Sequence, residues 1–354
     1  MNIDKIFKLM QEKDASDLFY RIGGVMRMRI NGEVEIMGED DVMPGDMQVC
    51  LDELIGKDLQ KKLREERSID FSVYKEGLGR FRVNVFFQRN TPSFVVRYIP
   101  EGIKGFEDLN LPAEPLKKLC AEVRGLVIVT GSTGSGKSTT LASMIEFINQ
   151  NFKKHILTIE EPIEFTFEDK LSIINQRELG TDVFSYEDAL RQFALQSPDI
   201  IYIGNIRDSA TMNSALRAAE TGVLVLSTMH TTNASQSIER ILNFFPPFQH
   251  DELRTQISLL LKGVLCLRLV PTVDGKGRIP AYELMTLSPT IARLVRENKT
   301  TEIPKHILQS QIYGMQTFKQ SLSLLTRANR ISKETALKFA DSPEDMKLEL
   351  EGLE

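Results

Sequence analysis

Cysteine is scarce in this 354-residue chain: Cys50, Cys120 and Cys266 are odd in number and far apart. That rules out a four-thiolate zinc site, argues against a disulfide framework and fits a reducing cytosol. Each thiol reads as a small buried hydrophobe. No apolar run approaches the roughly 20 residues needed to span a bilayer, so a soluble protein is expected. Residues 1–10 space their apolar side chains as a helix does and carry charges throughout, unlike a signal or transit peptide. Basic residues are not in excess, with 44 Lys and Arg against 49 Asp and Glu for a net charge of −5. With basic and aromatic clusters also lacking, no footprint for nucleic acid is expected. Internal repeats, coiled-coil heptads and low-complexity tracts are absent. What is present is ordinary globular material, 42% hydrophobic and 26% charged, and long enough for two domains.

Residues 1–100 read as a small α+β domain. Residues 14–16 suit a helix cap, while residues 25–30 alternate, meet Asn31-Gly32 and resume alternation over 33–37, which predicts a hairpin. Residues 46–64 show one apolar helical face broken at Gly56, and 69–74, 79–88 and 93–99 read as strands. Residues 101–115, with Pro112 and Pro115, read as a linker. From 116 to 354 strands and helices alternate, the pattern of a mostly parallel sheet wrapped by helices. Its strands are expected at 125–130, 155–160, 171–176, 200–203 and 224–228, and a helix over 211–221 stops at Gly222. Residues from about 280 onward are expected to be helical and polar, closing in an acidic, solvated or frayed helix over 344–354.

The most informative stretch is Gly131-Ser132-Thr133-Gly134-Ser135-Gly136-Lys137-Ser138, set between the apolar run 126–129 and a helical segment that opens at Thr139. Small residues there let backbone N–H groups turn inward onto a polyphosphate, and the helix that follows presents its positive end. Lys137 reaches the terminal phosphates, and Ser138 Oγ can ligate Mg²⁺. Residues 131–139 are therefore expected to bind ATP with Mg²⁺. Hydrolysis also needs an acid to orient or deprotonate water, a second partner for the metal, and positive charge on the phosphoryl group. Glu160, Glu161 and Glu164 follow a strand at the sheet edge where ligands gather, and Glu164 is chosen as general base. Asn205 stands at the end of strand 200–203, where such ATPases usually carry a metal-supporting carboxylate; as an amide it can accept from a metal-bound water but carries no charge. His230, after strand 224–228, is placed to sense the γ-phosphate.

The series from Gly131 to Ser138, then Leu157-Thr158-Ile159-Glu160-Glu161-Pro162-Ile163-Glu164-Phe165, Gly204-Asn205-Ile206-Arg207-Asp208, Ala218-Ala219-Glu220-Thr221-Gly222 and Thr228-Met229-His230-Thr231 resembles the secretion-ATPase superfamily. More narrowly it resembles the PilT/PilU type IV pilus retraction ATPases. Phe86-Phe87-Gln88-Arg89-Asn90, Phe244-Phe245-Pro246 and Asp274-Gly275-Lys276-Gly277-Arg278 lean towards PilU. Residues 291–297 and 314–318 are similar to the family's C-terminal retraction signatures.

The resemblance implies a cytoplasmic homo-hexamer, peripheral to the inner membrane, whose chains each join an N-terminal PAS-like α+β domain to a RecA-like P-loop ATPase domain, with ATP held where the two meet. It further implies a pilus platform protein as partner, possible cooperation with a paralogous retraction ATPase, and no nucleic acid. On it Glu164 falls on the catalytic glutamate and His230 on the second histidine-box position. Arg82 and Arg97 are candidates for contacting the phosphates. Assembly ATPases of the superfamily are expected to carry a four-cysteine zinc motif, which three cysteines cannot form.

The chain departs from the pattern at Asn205, where relatives have glutamate, at Val223 in place of histidine, and at Ala194-Leu195 in place of Leu-Arg. Two functions therefore stay open on sequence: a motor that hydrolyses ATP, and an accessory ring subunit that binds ATP with little hydrolysis of its own.

Overall fold

The computed structural model describes residues 2–30, 33–99, 102–275 and 277–352. The Asn31-Gly32 turn lies outside them. Two compact units emerge, one formed by Met1–Gly102 with Glu161–Thr166, the other by Ile103–Glu160 with Phe167–Glu354.

The first unit runs α1 (Ile3–Glu12), β1 (Ala15–Arg21), β2 (Val25–Ile30), β3 (Glu33–Asp41), α2 (Pro44–Leu54), α3 (Lys57–Glu66), β4 (Ser68–Lys75), β5 (Gly79–Gln88) and β6 (Thr91–Ile99). Its six strands form an antiparallel sheet in the order β3-β2-β1-β6-β5-β4. Alternation along the strands makes the two faces chemically distinct. Leu18, Tyr20, Met26, Met28, Val83, Val85, Phe94 and Val96 join Ile3, Ile6, Phe7, Met10 and Met47 of the helices in one core. There Phe7 stacks on Phe81 with centroids 3.9 Å apart, each fully buried ring contributing roughly 1.5–3 kcal/mol. Residues 14–16 do not cap a helix as expected. Asp14 takes a positive φ of 51° just past α1, and β1 opens at Ala15, because Leu18 and Tyr20 bury as a strand's alternate residues do. The break at Gly56 separates α2 from α3.

The second unit contains α4 (Ala113–Cys120), β7 (Gly125–Gly131), α5 (Lys137–Asn151), β8 (His155–Glu160), β9 (Ile173–Glu178), α6 (Tyr186–Phe193), β10 (Ile200–Ile203), α7 (Ser209–Glu220), β11 (Leu224–Met229), α8 (Ala234–Leu242), α9 (His250–Leu260), β12 (Leu261–Pro271) and β13 (Arg278–Thr286). Five further helices follow: α10 (Pro289–Arg296), α11 (Ile303–Gln309), α12 (Phe318–Arg327), α13 (Lys333–Phe339) and α14 (Pro343–Glu351). The seven-stranded sheet has the order β13-β12-β7-β11-β10-β8-β9, and every pairing is parallel except β12 with β13. Odd and even residues of the central strands feed separate cores. Ile128, Ile159, Ile203 and Val225 pack on one face, and Val127, Val129, Tyr202 and Leu226 on the other with Leu141, Met144 and Ile145 of α5. A sheet covered on both faces explains why β7 is apolar without alternation.

Three expectations need correction here. Residues 103–115 are part of the second unit, with Phe106 and Leu111 buried in its core, so their prolines punctuate packed chain. Residues 278–286 are a strand, because the mainly apolar run 264–270, interrupted only by Arg268, and the Asp274-Gly275 turn set up a β12–β13 hairpin at the sheet edge. The acidic tail is a mostly solvated helix, as expected, but not a frayed one: Ser342 accepts from Asp345 N, Met346 is fully buried, and Glu349 is held by Ser323 and Arg327, while residues 353–354 lie outside the described residues.

Candidate nucleotide site

The phosphate loop is formed by backbone requirements before any ligand is considered. Gly131 ends β7 with φ 145°, and a Cβ there would come within 2.5 Å of both the Leu267 carbonyl and Ser135 Oγ. Gly136 takes the left-handed region at φ 96° immediately before α5, and no side chain caps that helix. The first turn of α5 therefore presents the positive end of the helix dipole to an external acceptor, with no acid in it. Lys137 folds back, its Nζ donating to the carbonyls of Gly131 at 3.0 Å and Ser132 at 2.9 Å. Ser138 and Thr139 follow on the first turn of α5, and Ser132, Thr133, Gly134 and Ser135 complete the loop.

Asn205 and His230, expected from sequence on adjacent strand ends, meet with Nδ2 and Nε2 3.3 Å apart. β10 and β11 are parallel neighbours, with Ile203 opposite Ser227, so the loops after them emerge together. Burial depresses the His230 pKa, Lys137 and Arg207 depress it further, and a hydrogen bond to the Gly131 backbone opposes them. A neutral imidazole has one N–H, which the Gly131 carbonyl takes, because a carbonyl can only accept. Nε2 is then the acceptor, and Asn205 must face it with its NH₂. Asn205 Oδ1 is left without a hydrogen-bond partner on a residue only 9% exposed. A buried orphan acceptor normally costs about 1–3 kcal/mol, so this oxygen is poised for a donor.

The same strand ends carry a buried hydroxyl chain that sequence reading missed. Thr130 Oγ1 lies 2.6 Å from Thr231 Oγ1 and accepts from Thr231 N at 2.8 Å, pinning the residue before the phosphate loop to the residue after His230. Thr231 Oγ1 lies 2.6 Å from Ser237 Oγ on α8, and Glu283 of β13 accepts from Ala234 N at the start of that helix at 2.8 Å. Burial lifts the Glu283 pKa from 4.5 to about 7, against the Ala234 N–H that favours the carboxylate. Hydroxyls inside apolar strands are hard to find from sequence. The signal available was Thr-Gly at the end of β7 and Thr after His230.

The remaining candidates lie in the first unit. Arg82 pairs with Asp70 at 2.6 Å and with Glu164 at 3.2 Å. Burial opposes its charge, but Asp70, Glu164 and Glu161 outweigh that and raise its pKa. Arg80 Nε donates to the Ile163 carbonyl at 3.0 Å, which helps to fix the segment bearing Glu164. Arg97 Nε donates to buried Asp17 at 2.9 Å while its own side chain stays 64% exposed. The expected residues therefore form two groups: residues 131–139 with Asn205 and His230 in one unit, Glu164 with Arg82 and Arg97 in the other.

Among the described residues no group of three or more His, Cys, Asp or Glu side chains could cage a metal. The donors present fit a Mg²⁺ that arrives on phosphate oxygens and keeps its waters: the Ser138 hydroxyl, and the orphan Asn205 Oδ1 as acceptor for a metal-bound water.

The sequence profile described as type II/IV secretion system protein matches residues 3–334. The chain belongs to that family. Within it, the type IV pilus ATPase PilU of Pseudomonas aeruginosa is 40% identical over 98% of this chain and 91% of its own length. The type IV pilus retraction ATPase PilT of the same organism is 37% identical over 98% of this chain and all of its own. The structure is similar to that of the pilus retraction motor PilT with bound ADP, at a TM-score of 0.90 and 40% identity over 98% and 99% of the two chains. The family resemblance read from the motifs is thus shown on the PilT/PilU side, as is the α/β secretion-ATPase fold.

Proposed function

We propose that this type II/IV secretion family ATPase hydrolyses ATP to drive type IV pilus retraction. The observation that carries this reading is the uncapped α5 N-terminus behind the Gly131–Lys137 turn, within a chain similar over nearly its whole length to named retraction ATPases. In this reading the loop amides take the β- and γ-phosphates, and Lys137 leaves the Gly131 and Ser132 carbonyls to bind them. Ser138 and the phosphates would hold Mg²⁺, which would supply charge neutralisation at the transferring group. Glu164 is the first unit's candidate for orienting water, with Arg82 and Arg97 its candidates for positive charge, and in the second unit neutral His230 reports on the γ-phosphate from the Asn205 side. Chains assemble into a homo-hexameric ring on the cytoplasmic side of the inner membrane, where a platform protein receives the movement and a paralogous ATPase can share the work. No helix among the described residues is long and apolar enough to cross a membrane, which is compatible with peripheral placement.

Asn205 sets the rate in this account. Its amide gives a metal-bound water one neutral acceptor where a carboxylate would add charge, and losing one electrostatic group of this kind costs on the order of a hundredfold. Phosphate release by purified assembled protein tests the proposal. Lys137→Ala should abolish it and Asn205→Glu should raise it by roughly a hundredfold. Turnover that survives Lys137→Ala unchanged would refute the motor.

A further inference from the structure

The second face of the N-terminal sheet carries a cavity that the motor reading does not use. On β1, β2, β5 and β6, the residues alternating with the core face outward from the helices: Phe19, Arg21, Arg27, Arg29, Phe86 and Val95 among them. Cross-strand register sets Arg27 and Val95 on either side of Phe19, and Arg21 opposite Ser93, which in turn faces Phe86. They line a cavity of about 360 Å³, within the lower part of the range of small-molecule sites. Three guanidinium groups border it and no acidic side chain does, in a chain whose net charge is −5.

The three arginines are not spent equally. Arg29 Nε lies 3.4 Å from Asp17, and its guanidinium sits 5.5 Å over the Phe19 ring. Arg21 folds across Gly24, where an added Cβ would come within 2.9 Å of Arg21 Nε. Neither Arg21 nor Arg27 has an ion-pair partner among the described residues, and both are exposed. Guanidinium forks match phosphate oxygens two at a time. Phe19 and Phe86, with Val25, Val34 and Val95, offer apolar walls for a flat ring. Gln88 and Ser93 supply neutral hydrogen-bonding groups at the same wall.

We infer that this cavity binds a phosphate ester carrying one planar heteroaromatic ring, of nucleoside monophosphate size, with Arg21 and Arg27 on the phosphate and Phe19 and Phe86 on the ring. The site is separate from the phosphate loop: its lining residues all belong to the first unit, and the loop belongs to the second. A single phosphate suits two free forks.

The test uses the full chain carrying Lys137→Ala, so that the phosphate loop competes at least tenfold less, titrated with AMP, GMP and UMP by calorimetry. At least one of these should bind, and adding Arg27→Glu or Arg21→Ala should weaken it roughly tenfold or more while far-UV circular dichroism stays unchanged. Inorganic phosphate should compete at least tenfold less well, because it lacks the ring. Absence of binding by all three nucleotides overturns the inference. So does binding that both arginine variants leave intact, and phosphate competing on equal terms overturns the role of Phe19 and Phe86. Because hydrolysis is not read, failure here leaves the motor assignment standing, and failure of that assignment leaves this site standing.

Discussion

Replacing Glu283 by glutamine should change how the stability of the ATPase unit depends on pH. The carboxyl is 7% exposed, and burial moves its pKa from 4.5 to about 7, with Asp341 pushing the same way and Ala234 N and Arg268 pulling back. Between those two values the folded chain holds a proton that the unfolded chain has released, so this group makes stability fall as pH rises from 4.5 to 7. Below 4.5 both states are protonated and above 7 both are ionised, so the contribution is level outside the window. At about 1.4 kcal/mol per tenfold change in proton affinity, the full effect is on the order of 3 kcal/mol. For a unit of this size that corresponds to roughly 6–12 °C in the unfolding midpoint. Glutamine keeps an oxygen for Ala234 N and cannot ionise. Differential scanning calorimetry of both proteins from pH 4 to 8 should show the variant gaining on the wild type through the window and exceeding it above pH 7. Parallel profiles would refute the buried, proton-holding role of Glu283.

Thr130→Val keeps shape but strands the buried N–H of Thr231, whose hydroxyl keeps Ser237, and this should cost about 1–3 kcal/mol in urea unfolding; a loss under 0.5 kcal/mol would show that the two strand ends are not pinned through this pair. Arg97→Ala should cost less than about 1 kcal/mol, since Arg97 itself is largely exposed and Arg29 remains beside the buried Asp17. A drop in phosphate release of tenfold or more on that background would mark Arg97 as functional, and unchanged release would remove it from the site.

The sequence carried the phosphate loop and its frame because both are written locally. Gly131, Gly134 and Gly136 all take positive φ, and a sheet covered on both faces leaves β7, β8, β10 and β11 as short, mainly apolar runs without alternation. β12 and β13 escaped because the hairpin joins an edge to a parallel sheet, and the run 264–270 has no alternation to distinguish it from a buried helix. Asn205 was visible as a departure, but its donation to His230 needed the parallel pairing of β10 with β11 to bring the two loops together. Glu164 was chosen from sequence as general base, but its pairing with Arg82 joins residues 82 positions apart, which no local pattern encodes. The Thr130–Thr231–Ser237 chain was hidden for the same reason, since each hydroxyl taken alone is an unremarked polar residue in an apolar stretch.

The central claim is that a triphosphate sits on the α5 N-terminus under Lys137. Isothermal titration of ATP with Mg²⁺ into assembled wild-type and Lys137→Ala protein tests it most directly. The account predicts saturable binding by the wild type that Lys137→Ala weakens at least tenfold, as loss of a charge-assisted phosphate contact does. Equal affinity in the two proteins, or no heat of binding in either, would contradict it.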